Sequence, residues 1–153
     1  MGEAYFYHLT RQPVEAALPV LLERALAQGW RMAVRGTDLE RLKWLDEKLW
    51  LGPKDRFLPH GLAGGEHDAR QPVLLGVDVP AGDRDCLMAV DGAPVDAAEV
   101  AAAKRTCILF DGTDGAAVQA ARAQWTALTG AGAGARYWSE ESGKWQEKAT
   151  KNV

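Results

Sequence analysis

Apolar positions along this chain change spacing repeatedly, from every second residue to every third or fourth, and each change marks a change of element. Residues 4–10, AYFYHLT, alternate and are rich in aromatics, which predicts a strand. Residues 13–28 follow helical spacing through Ala17, Val20, Leu21, Arg24 and Ala25, with Pro13 suited to a first turn. Pro19 should kink or restart this helix, because it lacks the N–H that an interior position needs. Gly29 supplies a stop, and WRMAVRG (30–36) reads as a second strand. Thr37 and Glu40 have capping-box spacing ahead of a stripe of Leu39, Leu42, Leu45 and Leu49, which predicts a helix over about 38–50. Gly52-Pro53 ends it, and a long loop follows over 51–72. VLLGVDV (73–79) and CLMAVDG (86–92) read as buried strands, 95–104 as a short helix and RTCILFDG (105–112) as the last clear core strand. A helix over 115–129 leads into GAGAGA (130–135), and RYWSEESGKWQEK closes the pattern.

Strands alternating with helices in the order β-α-β-α-β-β-α-β-α predict an α/β fold with a mainly parallel sheet flanked by helices. This is Rossmann-like but without a dinucleotide site. At 153 residues the chain is expected to form one domain over 1–148, with 149–153 a frayed tail. The net charge of −3 argues against direct gripping of nucleic-acid phosphates. No apolar run approaches the ~18 residues of a membrane span, and MGEAYFYHL lacks the features of a secretory signal. Cys86 and Cys107 sit within apolar runs and read as buried thiols of a cytoplasmic protein.

Candidate chemistry is thin. GAGAGA follows a helix, whereas a dinucleotide fingerprint needs strand, glycine turn and helix in that order. SGKW lacks the upstream glycine spacing of a phosphate loop. FDGTDG (110–115) does join strand to helix, so a small nucleotide-binding protein or enzyme using the turn at Asp111–Gly115 is the alternative reading. His8, His60 and His67 show no metal-ligand spacing, although His60, His67 and Asp68 share one loop. A turn histidine bonded to backbone is the simpler account of His60. Asp83 and Asp85 belong to a turn, AGDRD, and neither cysteine has a base near it in sequence. No catalytic residue, metal site or cofactor is expected.

Aromatic residues carry the remaining signal, with six tryptophans present. Trp50 at a helix end and Phe57 in the long loop are either anchors for a partner or the loop's own plug over the sheet, and the residues alone leave both open. Val118, Arg122 and Trp125 share one side of the last helix. Arg136, Lys144 and Lys148 follow among Tyr137, Trp138 and Trp145. Apolar hollows ringed by cations suit a peptide with acidic residues, a hydrophobic end and a free carboxylate. A solvated cationic end with tryptophans packing the last strand is the competing account.

The stretch LDEKLWLGPKDRFLPHGLAGG (45–65) carries the pattern L-D-x-x-L-W, a proline soon after, then F-[VL]-P-H-x-L-A-G. With FYHL near the start, the run from Arg70 to Val73 and a tryptophan-containing tail, the chain resembles the chi subunit family of bacterial DNA polymerase III holoenzyme. The resemblance implies a non-catalytic accessory subunit of a DNA-directed DNA polymerase. It would link the psi subunit of the clamp loader to the C-terminal tail of single-stranded-DNA-binding protein. The family's psi-facing Trp and Phe correspond to Trp50 and Phe57, a surface that a helicase-like repair protein also uses. The tail-binding residues would be Val118, Arg122 and Trp125, with Thr126 where the family has Lys and Arg136 as a substitute charge. DNA contact would be indirect, and no membrane is involved.

Overall fold

A computed structural model describes residues 2–50, 60–64, 71–77, 79–80, 82 and 84–153, with Trp50 described in its backbone alone. The elements are β1 (Glu3–Leu9), α1 (Val14–Ala27), β2 (Met32–Gly36), α2 (Leu39–Trp50), β3 (Gly61–Leu62) and β4 (Val73–Val77). They continue with β5 (Cys86–Ala89), α3 (Ala97–Ala102), β6 (Arg105–Asp111), α4 (Gly115–Gly130), β7 (Gly134–Ser139) and β8 (Gln146–Lys151). Among the described residues eight strands form one sheet, ordered β3-β4-β2-β5-β6-β1-β7-β8. Every neighbouring pair is parallel except β7 and β8. The α/β class and the flanking helices are as the apolar spacing predicts.

β1 lies near the middle and feeds two cores. Ala4 and Phe6 face one side, where they join Ile108, Phe110, Ala121 and Leu128 under α3 and α4. Leu9 faces the other, with Leu18, Leu22, Val34, Leu45 and Leu109 under α1 and α2. Burying a side chain such as Phe6, which is fully enclosed, contributes roughly 1.5–3 kcal/mol.

Local chemistry departs from the sequence expectation at several points. α2 begins one residue later than a Thr37 cap requires. Asp38 accepts the Glu40 N–H at 3.0 Å, and the Thr37 hydroxyl instead donates to the Asp91 carbonyl at 3.2 Å. A reciprocal capping box does form at α3, between Asp96 and Glu99, and the same Glu99 holds buried Arg35. α1 continues through Pro19 without a break. The glycine run is no loose exit: Gly132, at φ +94°, turns the chain, and Gly134–Ala135 already belong to β7. β7 and β8 extend the sheet beyond the last strand that the sequence marked. β8 runs through Lys151, past the expected domain end at 148.

The exit from β7 is tied back to the exit from β1 by Glu140, which is 5% exposed. Its Oε1 accepts the N–H groups of Thr10, Arg11 and Gln12 at 3.0, 2.9 and 3.2 Å, and its Oε2 accepts Gln12 Nε2 at 3.1 Å. Burial disfavours the charge, but these donors outweigh it and hold the carboxyl below its ordinary value of 4.5. The folded value thus lies below the unfolded one. The stabilisation is complete above the unfolded value and is lost as pH falls through the folded one. Glu140→Ala is expected to lower the unfolding free energy by about 1–3 kcal/mol at neutral pH. Urea denaturation at neutral and acid pH checks this: the gap between variant and native protein should close on acidification.

Candidate functional site

Three places suggested by the sequence can be followed onto the fold. The first is the outer flank of α4. Val118 and Trp125 are half-buried there, and Arg122 is exposed between them. Trp125 sets its ring edge against Phe6, centroids 5.3 Å apart, and lies 6.0 Å from the ring of Tyr137 on β7. The Tyr137 hydroxyl is 2.8 Å from His8 Nδ1, and His8 stacks on Phe110 at 5.1 Å. A layer of rings thus supports the flank from beneath. Burial pushes the Tyr137 hydroxyl pKa up, the positive charge of Arg122 pulls against that shift, and Glu141 adds to it. Among the described residues no carboxylate pairs with Arg122. Thr126 turns its hydroxyl back to the Arg122 carbonyl at 3.1 Å, so this position adds no charge.

Arg136 does not complete this flank. Tyr137 faces α4, so strand alternation sends Arg136 to the opposite side of the sheet. There its guanidinium is held by Glu3 at 2.7 Å and Glu147 at 3.0 Å. Trp145 also lies on that opposite side, edge-on to Tyr7 at 5.4 Å. The cationic, tryptophan-rich end that reads as one surface in the sequence is therefore split between two faces. His8 and Tyr137 were not among the expected tail-site residues. Their pairing across 129 positions is settled by the β1–β7 register, which no local pattern reveals.

The second place is the stretch that follows α2. Leu42, Leu45 and Leu49 are buried in the core, which fixes the helix face. Buried His60 places Nε2 3.2 Å from both the backbone oxygen and the carboxylate of Asp46. Burial raises the Asp46 pKa, with the His60 charge lowering it. His60 is thus a structural tie between α2 and β3. The Trp50 side chain, Phe57, His67 and Asp68 lie outside the described residues. Among those described, no three His, Cys, Asp or Glu side chains are grouped to hold a metal.

The third place is the turn between β6 and α4. Asp111 Oδ1 accepts the Thr113 N–H at 2.9 Å and its hydroxyl at 2.6 Å, bonds that hold its pKa below the ordinary range. Asp114 caps α4 by accepting the Ala116 N–H at 3.0 Å. The amide groups that an anion would need are thus partly taken by carboxylates whose own charge opposes a phosphate. Gly112 is there for closeness: a Cβ would run into the His8 ring and lie 2.9 Å from the Leu9 carbonyl.

The family model described as DNA polymerase III chi subunit, HolC, matches residues 1–136. The chain belongs to the DNA polymerase III chi subunit family. It is similar to the DNA polymerase III subunit chi of Pseudomonas aeruginosa, 37% identical over 92 residues, covering 58% of this chain and 63% of that one. It is also similar to the probable DNA polymerase III subunit chi of Rickettsia prowazekii, 24% identical over 75 residues, covering 49% and 46%. The matched segment thus spans less than two thirds of either relative. The family match takes in all of α4 and ends inside β7, so the Arg122 flank lies within it and β8 lies beyond. Among the described residues no helix is long and apolar enough to cross a membrane.

The turn supplies a stability test. Asp114→Ala removes one cap and should cost about 1 kcal/mol. Gly112→Ala must displace the His8 ring from Phe110 and Tyr137 and should cost more, on the order of 1–3 kcal/mol. Chemical denaturation ranks the two, and an unperturbed Gly112→Ala would refute the packing described.

Proposed function

We propose that this chain is a non-catalytic replication accessory protein that joins two partners through separate surfaces. The observation that carries the reading is the α4 flank. A guanidinium that no carboxylate pairs among the described residues stands beside half-buried Val118 and Trp125 on an aromatic base, within the segment matched to the chi family. The partner that fits is the C-terminal tail of single-stranded-DNA-binding protein, acidic and ending in hydrophobic residues. Its terminal carboxylate would pair with Arg122, and its apolar end would pack on Val118 and Trp125. With a neutral Thr126 and with Arg136 on the opposite face, this reading relies on the charge of Arg122. The contact is therefore weak and sensitive to salt. Many tails on one coated strand would raise its effective concentration. A net charge of −3 suits a protein that meets DNA only indirectly.

Trp50 and Phe57 form the second grip, toward the psi subunit of the clamp loader or, alternatively, a helicase-like repair protein. This assignment rests on their match to the chi-family pattern.

Calorimetric titration with the acidic C-terminal peptide of the cognate single-strand binder should give micromolar binding that weakens as salt rises. Arg122→Ala should weaken it about tenfold. An unaffected Arg122→Ala variant, or no binding by the folded protein, would overturn the placement. Trp50→Ala and Phe57→Ala should reduce capture of psi while leaving peptide binding intact. Loss of both interactions in either variant would contradict two separate surfaces.

A further inference from the structure

The chain leaves β1 through α1 on one face of the sheet and leaves its neighbour β6 through α4 on the other. Diverging connections of this kind open a crevice at the carboxyl ends of the two strands. Here the crevice is a cleft of about 690 Å³. One wall is the inner flank of α4, built from Ala116, Ala117, Ala120 and Ala121, whose small side chains leave room for a large one. The floor includes Ile108 and Phe110, and the turn at Asp91–Ala93 stands opposite. Gln124 closes one end by donating to the Ala93 carbonyl at 2.9 Å.

The charges around the mouth are not balanced. Asp91 is paired with Arg41 at 3.1 Å, and Arg11 donates to the neutral carbonyls of Glu140 and Glu141, so the lining sets three carboxylates against two guanidiniums. Asp111 and Asp114 accept only from the neutral groups of Thr113 and Ala116, and among the described residues no cation meets either. In the same lining the Thr10 hydroxyl oxygen is shielded from water and has no hydrogen-bond partner among the described residues.

We propose that this cleft is a third docking site, for a protein segment that seats a bulky apolar side chain between α4 and the Asp91–Ala93 turn and sets a Lys or Arg against Asp111 and Asp114. Small-molecule sites rely on several convergent, available polar groups. In this cleft Asp111, Asp114 and Gln124 already have backbone partners, and beside the Thr10 hydroxyl it is bulk and charge that remain to be matched. Those two features favour a basic, apolar peptide over a phosphate. The site lies across α4 from Arg122 and selects the opposite charge. It is independent of the tail-binding proposal, and the two stand or fall separately.

The test uses the full ¹⁵N-labelled chain and two amidated probes, the peptides Lys-Leu-Phe-Lys and Glu-Leu-Phe-Glu. The lysine probe should shift the amides of Thr10, Thr113, Ala117 and Ala120, and the glutamate probe should not. Asp111→Asn and Asp114→Asn keep the acceptor for each local hydrogen bond while removing its charge. Each should weaken the lysine probe by up to about fivefold. Ala120→Phe, at an exposed rim position, should block it, and Arg122→Ala should leave it unchanged. Equal shifts from both probes, no shift at millimolar peptide, shifts centred on Arg122, or displacement of the lysine probe from the cleft by a nucleotide would each overturn the proposal.

Discussion

The placement of β1 between β6 and β7 is the constraint on which the rest of the molecule depends. A parallel strand in that position is buried on both sides, so its alternation supplies both cores at once: Ala4 and Phe6 to one, Leu9 to the other. The strand's exit is then held by one carboxylate, Glu140, which gathers three consecutive N–H groups that would otherwise end the strand unpaired. Because Glu140 follows β7, the hydrogen bonds also fix where the C-terminal third of the chain sits. The aromatic base of the α4 flank inherits this order. His8 comes from β1, Phe110 from β6 and Tyr137 from β7, and the parallel register sets their meeting point.

What could be read from the sequence follows from how deeply each element is buried. β2, β4 and β5 are enclosed and written almost wholly in apolar residues, so they stand out as runs. α2 announces itself through Leu42, Leu45 and Leu49, since a helix lying on a sheet needs one apolar stripe. β8 offers no such signal. Its six residues are all exposed, and QEKATK is polar on both faces, as suits an edge strand that must not recruit another chain. Its pairing is supplied by β7, not by its own composition.

The candidate sites divide along the same line. Val118, Arg122 and Trp125 are legible as a group because helical spacing is a local property. Arg136 is not legible as a member or a non-member, because one residue of strand register decides which face it joins. Its ion pairs with Glu3 and Glu147 link positions 133 and 11 residues apart, and only the folded sheet reveals the first. The turn at Asp111–Gly115 carries the opposite lesson. Its composition suits both an anion site and a self-capping turn, and the hydrogen-bond directions favour the second. The oxygens of Asp111 and Asp114 already hold turn and helix amides.

The two flanks of α4 then have a common explanation. A helix packed on a sheet through Ala121 and Leu128 leaves a margin on each side, and its neighbours determine what each margin becomes. Toward β7 the neighbouring ring is Tyr137, large enough to support Trp125, so that margin is firm and carries a cation. Toward β5 the margin is alanine, and the chain's diverging connections leave a cleft that side chains of this size do not fill. Under the two proposals, opposite charges on the margins would make it unfavourable for one peptide to take the other's site, since a carboxylate end suits Arg122 and does not suit Asp111 and Asp114. One helix would then present two surfaces of opposite preference.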